Sequence, residues 1–218
     1  MPLDEGLIAA LNPVQRLALA YAPSQARPAW LAFLALDTRL SALVAGTREV
    51  LLGQIKLAWW RDRLAEDAAS WPKGEPVLAA LAAWHGQHGT LGGLVDGWEA
   101  VLTGSETGEA GFAALAEGRG AACAALAGLF GLAAWQNDVV RLGRGWAIAE
   151  LANWEADPAD AQVVFAMAQA QDWHSARLPR AMRPLLVLHG LADRQRRSPQ
   201  ATGISTLFVG MRLGIFGR

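Results

Sequence analysis

The chain has 218 residues, of which 53% are hydrophobic and 18% are charged, with a net charge of −1 and a single cysteine. This composition excludes a disordered chain and a disulfide scaffold, and it disfavours a general nucleic-acid binder, which needs a basic excess. The apolar runs are interrupted before the roughly 18 residues that a membrane-spanning helix needs. The first five residues are acidic where a signal peptide is basic, so we expect a cytoplasmic protein.

Helical periodicity and helix-forming residues extend along nearly the whole chain. Capping residues and Gly or Pro breakers divide it into predicted helices. These cover residues 24–44 (with Ser24 as N-cap), 47–70 (with Thr47 as N-cap), 75–87, 94–102, 111–130, 133–154, 158–173, 179–196 and 204–216. No repeat and no long linker interrupts them. The sequence therefore predicts one all-α domain over residues 1–218, with eight to ten helices.

Charge is distributed unevenly along the chain. From His174 to the C-terminus there are eight Arg and one acidic residue, a balance of +7, whereas residues 1–173 carry a balance of −8. An Arg-rich segment can meet an anionic partner such as phospholipid headgroups, a diphosphate or an acidic protein face. It can equally be the solvated outer side of the terminal helices. Peripheral membrane contact through this segment is therefore one of two open interpretations.

The segment from residue 47 to residue 70 holds the densest group of chemically active side chains. Its three- and four-residue spacing predicts a core-facing apolar stripe. The members of this stripe are Leu51, Leu52, Ile55, Ala58 and Trp59. Asp62 and Glu66 are four residues apart, a spacing that can hold Mg²⁺ through its waters. Arg63 and Asp67 have the same spacing, which is also typical of a solvated helix face.

Three further features have a structural and a functional interpretation. His85 and His88 could begin a zinc site, but no third ligand lies near them in sequence. Cys123 lies in a run of small apolar residues, so we expect a buried thiol rather than a nucleophile. The ten Trp either line a cavity for an apolar ligand or fill the space between Ala-rich helices.

Several segments resemble the squalene/phytoene synthase family. Tyr21–Pro28 is similar to the family segment in which Pro-x-x-x-Arg opens a helix, and Gly53–Arg61 is similar to its helix ending in Trp-Trp-Arg. Leu142–Trp146 and Leu178–His189 resemble two later helices, so the likeness covers most of the chain. It implies an all-α isoprenoid-synthase fold. Active members join two prenyl diphosphates head to head, using Mg²⁺ held by two Asp-x-x-x-Asp motifs on facing helices.

The chain departs from this family at both motifs. Counted from the matching segments, the first motif falls on Ser41 and Ala45 and the second on Trp154 and Pro158. Only Asp37, one turn before Ser41, leaves a carboxylate near the first position. In this the chain resembles the degenerate branch that includes the mitochondrial complex I assembly factor, whose matching helix also lacks the Asp pair.

The resemblance and this departure predict a protein that has lost head-to-head prenyl transfer and needs no cofactor. It would keep an apolar central cavity and bind an isoprenoid or lipid, or it would act as an assembly-type protein with a protein partner. The candidate binding residues are the polar and aromatic members of the matched helices. They are Tyr21, Arg27, Asp37, Gln54, Trp60 and Arg61. Arg27 and Arg61 would meet an anionic headgroup, or Arg27 would form a buried pair with Asp37.

Two other functions stay open at this point. An active Mg²⁺-dependent prenyltransferase of isoprenoid biosynthesis would need relocated carboxylates, with at least three converging on one cavity. The candidates are Asp37, Asp62, Glu66, Glu150 and Asp157, with Glu155 and Asp160 close to the last of them. A purely structural subunit would instead have a solid interior.

Overall fold

The computed structural model describes residues 3–104, 108–152 and 158–197. Within them the chain is all-helical, with ten α-helices, which confirms the predicted class and helix number. The helices are α1 (Leu3–Ala10), α2 (Pro13–Ala20), α3 (Arg27–Ala45), α4 (Val50–Ala65), α5 (Pro76–Leu81), α6 (Gly92–Thr103), α7 (Glu109–Leu129), α8 (Gln136–Leu151), α9 (Pro158–Ala170) and α10 (Arg183–Arg197). The predicted helix 204–216 and residues Trp154, Glu155 and Asp157 lie outside the described residues.

The sequence analysis predicted no helix before residue 24, so it missed α1 and α2. Several predicted boundaries are also wrong, such as the end of α4 at Ala65 instead of 70 and the start of α10 at Arg183 instead of 179. Ser24 is not an N-cap, because α3 begins at Arg27. Thr47 is not one either, because its hydroxyl donates to the Leu43 carbonyl at 2.6 Å and α4 begins three residues later. The predicted segment 75–87 ends as an α-helix at Leu81. His85 has a left-handed backbone there, with φ of 48°, which stops helical continuation.

Helix α7 lies between α6 and α8, and glycine makes this packing close. A Cβ atom on Gly118 would stand 2.3 Å from the Gly93 carbonyl oxygen of α6, and one on Gly97 would stand 2.7 Å from the Leu115 Cα. Real Cβ atoms do not approach backbone so closely, so both positions need glycine. The Gly- and Ala-rich composition of α7 therefore sets the distance between the three helices.

Four large aromatic side chains meet in the interior. The Phe33 ring lies 5.9 Å from Trp30, 6.5 Å from Trp84 and 6.1 Å from Trp146, measured between ring centroids. The indole N–H groups of Trp30 and Trp84 donate to the carbonyls of Ala181 and Ala29. For Trp30 and Trp84 the space-filling interpretation is correct, because their rings pack against Phe33 and their indole N–H groups are satisfied by backbone carbonyls.

The apolar stripe predicted for the core side of α4 is on the solvent side. Leu51 is 69% exposed and Ile55 is 58% exposed, and Leu52 and Trp59 are exposed as well. The buried face carries Gly53, Leu57, Trp60 and Leu64 instead. Both faces of α4 are apolar, and the face that carries Gly53 is the buried one. A Cβ on Gly53 would lie 2.4 Å from the Leu102 side chain of α6, so the small residue on this face lets the two helices pack without moving Leu102.

Helices α3 and α7 are long and apolar enough, by length and composition alone, to cross a membrane. About 61% of the apolar window of each helix is buried inside the bundle. Core helices of soluble proteins pass the same test, so this is weak evidence for a span. The expectation of a cytoplasmic protein without a spanning helix stays a prediction.

Candidate functional site

A cluster of three charged side chains joins three helices. Arg119 of α7 places its Nη2 atom 2.9 Å from Oδ2 of Asp37 on α3, and its Nη1 atom 2.9 Å from Oε2 of Glu150 on α8. Asp37 and Arg119 are each only 1% exposed, and the side chain of Glu150 is 27% exposed. One cation thus pairs with two carboxylates, each through a different terminal nitrogen.

Neighbouring aromatic groups make this buried charge tolerable. The indole N–H of Trp98 donates to Asp37 Oδ1 at 2.9 Å, so the carboxylate has partners for both oxygens. The Arg119 guanidinium lies 4.4 Å from the Trp146 ring centroid and 5.7 Å from that of Trp98. A buried charge costs several kcal/mol unless it is paired and hydrogen-bonded. Removing one partner of a buried ion pair destabilises a protein by roughly 3–5 kcal/mol. The cluster meets the first condition, and it meets the second for Asp37, whereas Nε and Nη1 of Arg119 make no hydrogen bond in the described part of the chain.

The same surroundings shift the protonation equilibria of the cluster. Burial raises the pKa of the Glu150 carboxyl group, while Arg119 and the nearby donors of Trp146 and Asn12 act in the opposite direction. Burial alone would lower the pKa of Arg119, but Asp37 and Glu150 outweigh it and raise the pKa. Burial also raises the pKa of Cys123, which is fully buried, as the sequence predicted. The thiol is therefore protonated and poorly reactive.

A cleft of about 540 Å³ lies over this cluster. It is open to solvent and is bordered by the start of α2, by α3, by α8 and by α10. Asp37, Arg119 and Glu150 lie on its wall with the indole of Trp146, and most of the remaining wall is aliphatic, including Leu188 and Ala149. The arrangement can hold a small apolar molecule and offer it one polar end.

Of the six predicted binding residues, the structure places only Asp37 at this cleft. Arg27 donates to the Leu19 carbonyl at 2.9 Å, at the C-terminal end of α2. The alternative of a buried Arg27–Asp37 pair is therefore wrong, since Arg119 is the arginine that pairs with Asp37. Tyr21 is half-buried and packs against the core.

The other three predicted residues lie together on α4, away from the cleft. Arg61 forms ion pairs with Asp96, at 2.7 Å, and with Glu99 on α6. Gln54 donates to the same Glu99 at 3.5 Å. Trp60 is buried and stands edge-on against Trp59. The contacts of Arg61 and Gln54 attach α4 to α6, and they leave the Arg61 guanidinium occupied by two carboxylates.

Sequence reasoning missed Arg119, the residue that organises the cluster. Its signal is present, because Arg119 is the one charged side chain in the run of small and apolar residues from Gly118 to Leu129. A lone Arg in such a helix must be paired if the helix is buried. Glu150 was considered only as a relocated metal ligand, and its partner could not be named.

Among the candidate metal ligands that the structure describes, only Asp37 and Glu150 reach the cleft, and Asp157 and Glu155 lie outside the described residues. Asp62 is exposed, and Glu66 pairs with Arg63 at 2.6 Å, and neither lines the cleft. In the described ranges no three His, Cys, Asp or Glu side chains lie close enough to share a metal ion. Asp37 and Glu150 have Arg119 between them, so this pair does not fit the Mg²⁺ site that the resemblance implies.

The two histidines considered for zinc have other surroundings. His88 is buried, its Nε2 atom lies 2.9 Å from the Glu66 carbonyl, and its ring packs on Trp71 at 4.6 Å. His85 is exposed on its left-handed turn. Their side chains therefore do not face one common point, and His88 joins the end of α4 to the segment that follows.

Part of the Arg-rich C-terminal segment is described. Asp193 pairs with Arg196 at 2.9 Å and with Arg197, both on α10. The Arg196 guanidinium also lies over the Trp173 ring at 4.9 Å. These arginines bind within the protein, and the remainder of the segment, from residue 198 onward, lies outside the described residues.

The chain matches no protein-family model, and no curated protein or solved structure matches it either.

Proposed function

We propose that this protein is a squalene/phytoene synthase-like member of the all-α class that does not carry out head-to-head prenyl transfer. It instead binds an isoprenoid or another lipid-like chain in the cleft above Asp37, Arg119 and Glu150, in the cytoplasm. The observation that carries the proposal is the position of the Arg119 guanidinium between the two carboxylates.

This position opposes Mg²⁺-diphosphate chemistry. The departure of a diphosphate needs a divalent cation to neutralise the developing charge. A Mg²⁺ ion prefers carboxylate oxygens and water in octahedral geometry. Here the available carboxylates already bind a fixed cation, and a Mg²⁺ ion placed between them would stand beside a buried positive charge. The competing hypothesis of an active prenyltransferase loses its best ligand pair for this reason.

The size and lining of the cleft support binding of an apolar chain. Its volume of about 540 Å³ lies within the range of roughly 300–1,000 Å³ that small-molecule sites occupy. The expected hollow at the centre is replaced by contacts between Phe33 and three tryptophans. The proposal therefore moves the binding site from the middle of the bundle to the side formed by α2, α3, α8 and α10.

The catalytic half of the proposal is tested by incubating the purified protein with farnesyl or geranylgeranyl diphosphate and Mg²⁺. We expect no C30 or C40 product. Product formed at a rate that rises with protein concentration would overturn this half, and an active family member provides the positive control.

The binding half is tested by titration with a fluorescent fatty-acid probe. Ser41→Trp fills the cleft, because Ser41 lies on its wall. Ser175→Trp is the matched control, because Ser175 is exposed on the segment before α10 and does not line the cleft. We expect Ser41→Trp to weaken probe binding about tenfold or more, which corresponds to at least ~1.4 kcal/mol. Equal binding by both variants would place the probe elsewhere and contradict the proposal.

A further inference from the structure

The charged groups at the cleft discriminate between head groups. Of the cleft-lining residues in the described part of the chain, three are ionisable, and they are two acids and one base. Asp37 and Arg119 are almost completely buried, so Glu150 is the charged group that a ligand meets first. With all three ionised, the wall carries a net charge of −1, which repels a phosphate or diphosphate.

The amino end of α2 does not reverse this effect. A helix N-terminus attracts anions through its free backbone N–H groups. Here Pro13 has no N–H, and the side chain of Asn12 already accepts the N–H of Gln15 at 2.9 Å. The Gln15 side chain in turn accepts from the Asn12 backbone and from the Thr38 hydroxyl. Most of the polar atoms at this border of the cleft are therefore satisfied within the protein.

Two residues on the wall carry buried donors without a hydrogen bond in the described part of the chain: Arg119, through Nε and Nη1, and Trp146. Arg119 Nη1 still has Glu150 as its ion-pair partner at 2.9 Å. The indole nitrogen of Trp146 is buried and makes no hydrogen bond in the described part of the chain, although Glu150 lies near enough to be influenced by it. Trp146 is only 1% exposed, and it lines the cleft beside Glu150. A buried donor without an acceptor is costly, and a ligand atom that accepts from it would remove that cost.

We propose that the cleft selects a neutral hydroxyl head group on an apolar chain, as in a long-chain or prenyl alcohol. A hydroxyl can donate to the Glu150 carboxylate and accept from the Trp146 N–H at the same time. An ammonium group can only donate, so it leaves Trp146 unsatisfied and stands near the Arg119 cation. A phosphate can accept from Trp146 and from Arg119, but it also faces the Glu150 and Asp37 carboxylates, which outnumber the single cation. This inference rests on the proposed function and adds the ligand class.

The protonation behaviour of Glu150 agrees with this choice. Burial raises the pKa of its carboxyl group, which brings the neutral form closer to physiological pH. A hydroxyl matches either form, because it can donate to the carboxylate or accept from the acid. The other ionisable groups facing Glu150 are Arg119 on α7 and Asp37 on α3, and α2 and α10 contribute no charge to the wall. An ammonium would match the ionised form alone.

The experiment is displacement of the fluorescent probe by 1-dodecanol, dodecylamine and dodecyl phosphate, each below its aggregation concentration. The chains are identical, so differences report the head group. We expect the alcohol to bind about tenfold more tightly than the amine or the phosphate. Glu150→Gln should lower the affinity for the alcohol several-fold, because an amide is a poorer hydrogen-bond acceptor than a carboxylate. Glu117→Gln is the matched control, since Glu117 is exposed on α7, pairs with Arg144 and does not line the cleft.

Each outcome decides between the proposals. Tighter binding of the phosphate or the amine, or an equal affinity for all three compounds, overturns the head-group inference and leaves apolar-chain binding standing. An unchanged alcohol affinity in Glu150→Gln overturns it as well. Failure of the wild-type protein to bind the probe or any of the three compounds overturns the proposed function itself. The ranking on the wild-type protein needs no variant, so it decides the question even if Glu150→Gln does not fold.

Discussion

Replacement of Arg119 by Met tests whether the cluster joins α3, α7 and α8 energetically. Met keeps much of the side-chain volume and removes the charge. Asp37 would then be a buried carboxylate with one remaining donor, the Trp98 indole at 2.9 Å. Glu150 has partial access to solvent, so it can turn outward and lose less.

The expected cost follows from this asymmetry. Breaking a buried ion pair by removing one partner destabilises a protein by about 3–5 kcal/mol, mostly because the other charge stays buried and unpaired. We expect Arg119→Met to fall in this range. The double variant Asp37→Leu/Arg119→Met removes the orphaned charge, and it should be less destabilised than the sum of the single variants by about 1–3 kcal/mol.

The matched control is Arg144→Met. Arg144 on α8 pairs with Glu117 at 2.9 Å, but both side chains are about half exposed. An exposed pair contributes less than ~1 kcal/mol, so this variant should unfold close to the wild-type midpoint.

The assay is equilibrium unfolding in urea, followed by the fluorescence of the ten tryptophans. A loss below ~1 kcal/mol for Arg119→Met, or a loss equal to that of Arg144→Met, would refute the reasoning. Strict additivity in the double variant would show that Asp37 and Arg119 do not stabilise each other in solution.

Three further predictions concern groups outside the cluster. Burial lowers the pKa of His189 to about 4, below the ~6.5 of an unfolded chain, so the unfolded state binds the proton more readily. The free energy of unfolding should therefore keep its full value above about pH 6.5 and fall by about 3 kcal/mol as the pH drops to 4. In urea titrations, His189→Asn should remove this part of the pH dependence. Gly118→Ala should destabilise by ~3 kcal/mol through its clash with backbone. In contrast, Gly128→Ala, with nothing within 4 Å of its added Cβ, should stabilise by about 0.5–1 kcal/mol, and thermal melts of the two variants decide between them. Cys123 should react with a thiol reagent such as Ellman's reagent only after unfolding, because the thiol is buried and its pKa is raised.

Features with a local cause could be predicted from the sequence. The all-α class follows from helix-forming residues and from the helical spacing of apolar positions, and the structure confirms it. The burial of Cys123 follows from the small apolar residues on either side of it. Both depend on interactions within a few residues, which a sequence displays directly. The finer assignment to an isoprenoid-synthase fold rests on the resemblance and remains a proposal.

Features that depend on a choice between equivalent local patterns could not be predicted. Helix α4 has two apolar faces, and periodicity alone does not say which one is buried. The structure buries the face with Gly53, where the absence of a side chain lets α4 lie against Leu102 of α6. Leu51 and Ile55 were placed in the core by the sequence and lie in solvent in the folded protein.

By itself, the sequence determined that Asp37, a charged residue on an apolar helix, must have a partner if that helix is buried. It did not determine which of the arginines would be that partner, and Arg27, ten positions away in the sequence, was the natural choice. Tertiary structure selected Arg119, which is 82 residues from Asp37. The reason is physical, because side chains pair according to how the helices pack. The glycines of α7 allow close packing, which brings the Arg119 guanidinium to Asp37 and Glu150. A linear pattern does not show such a contact.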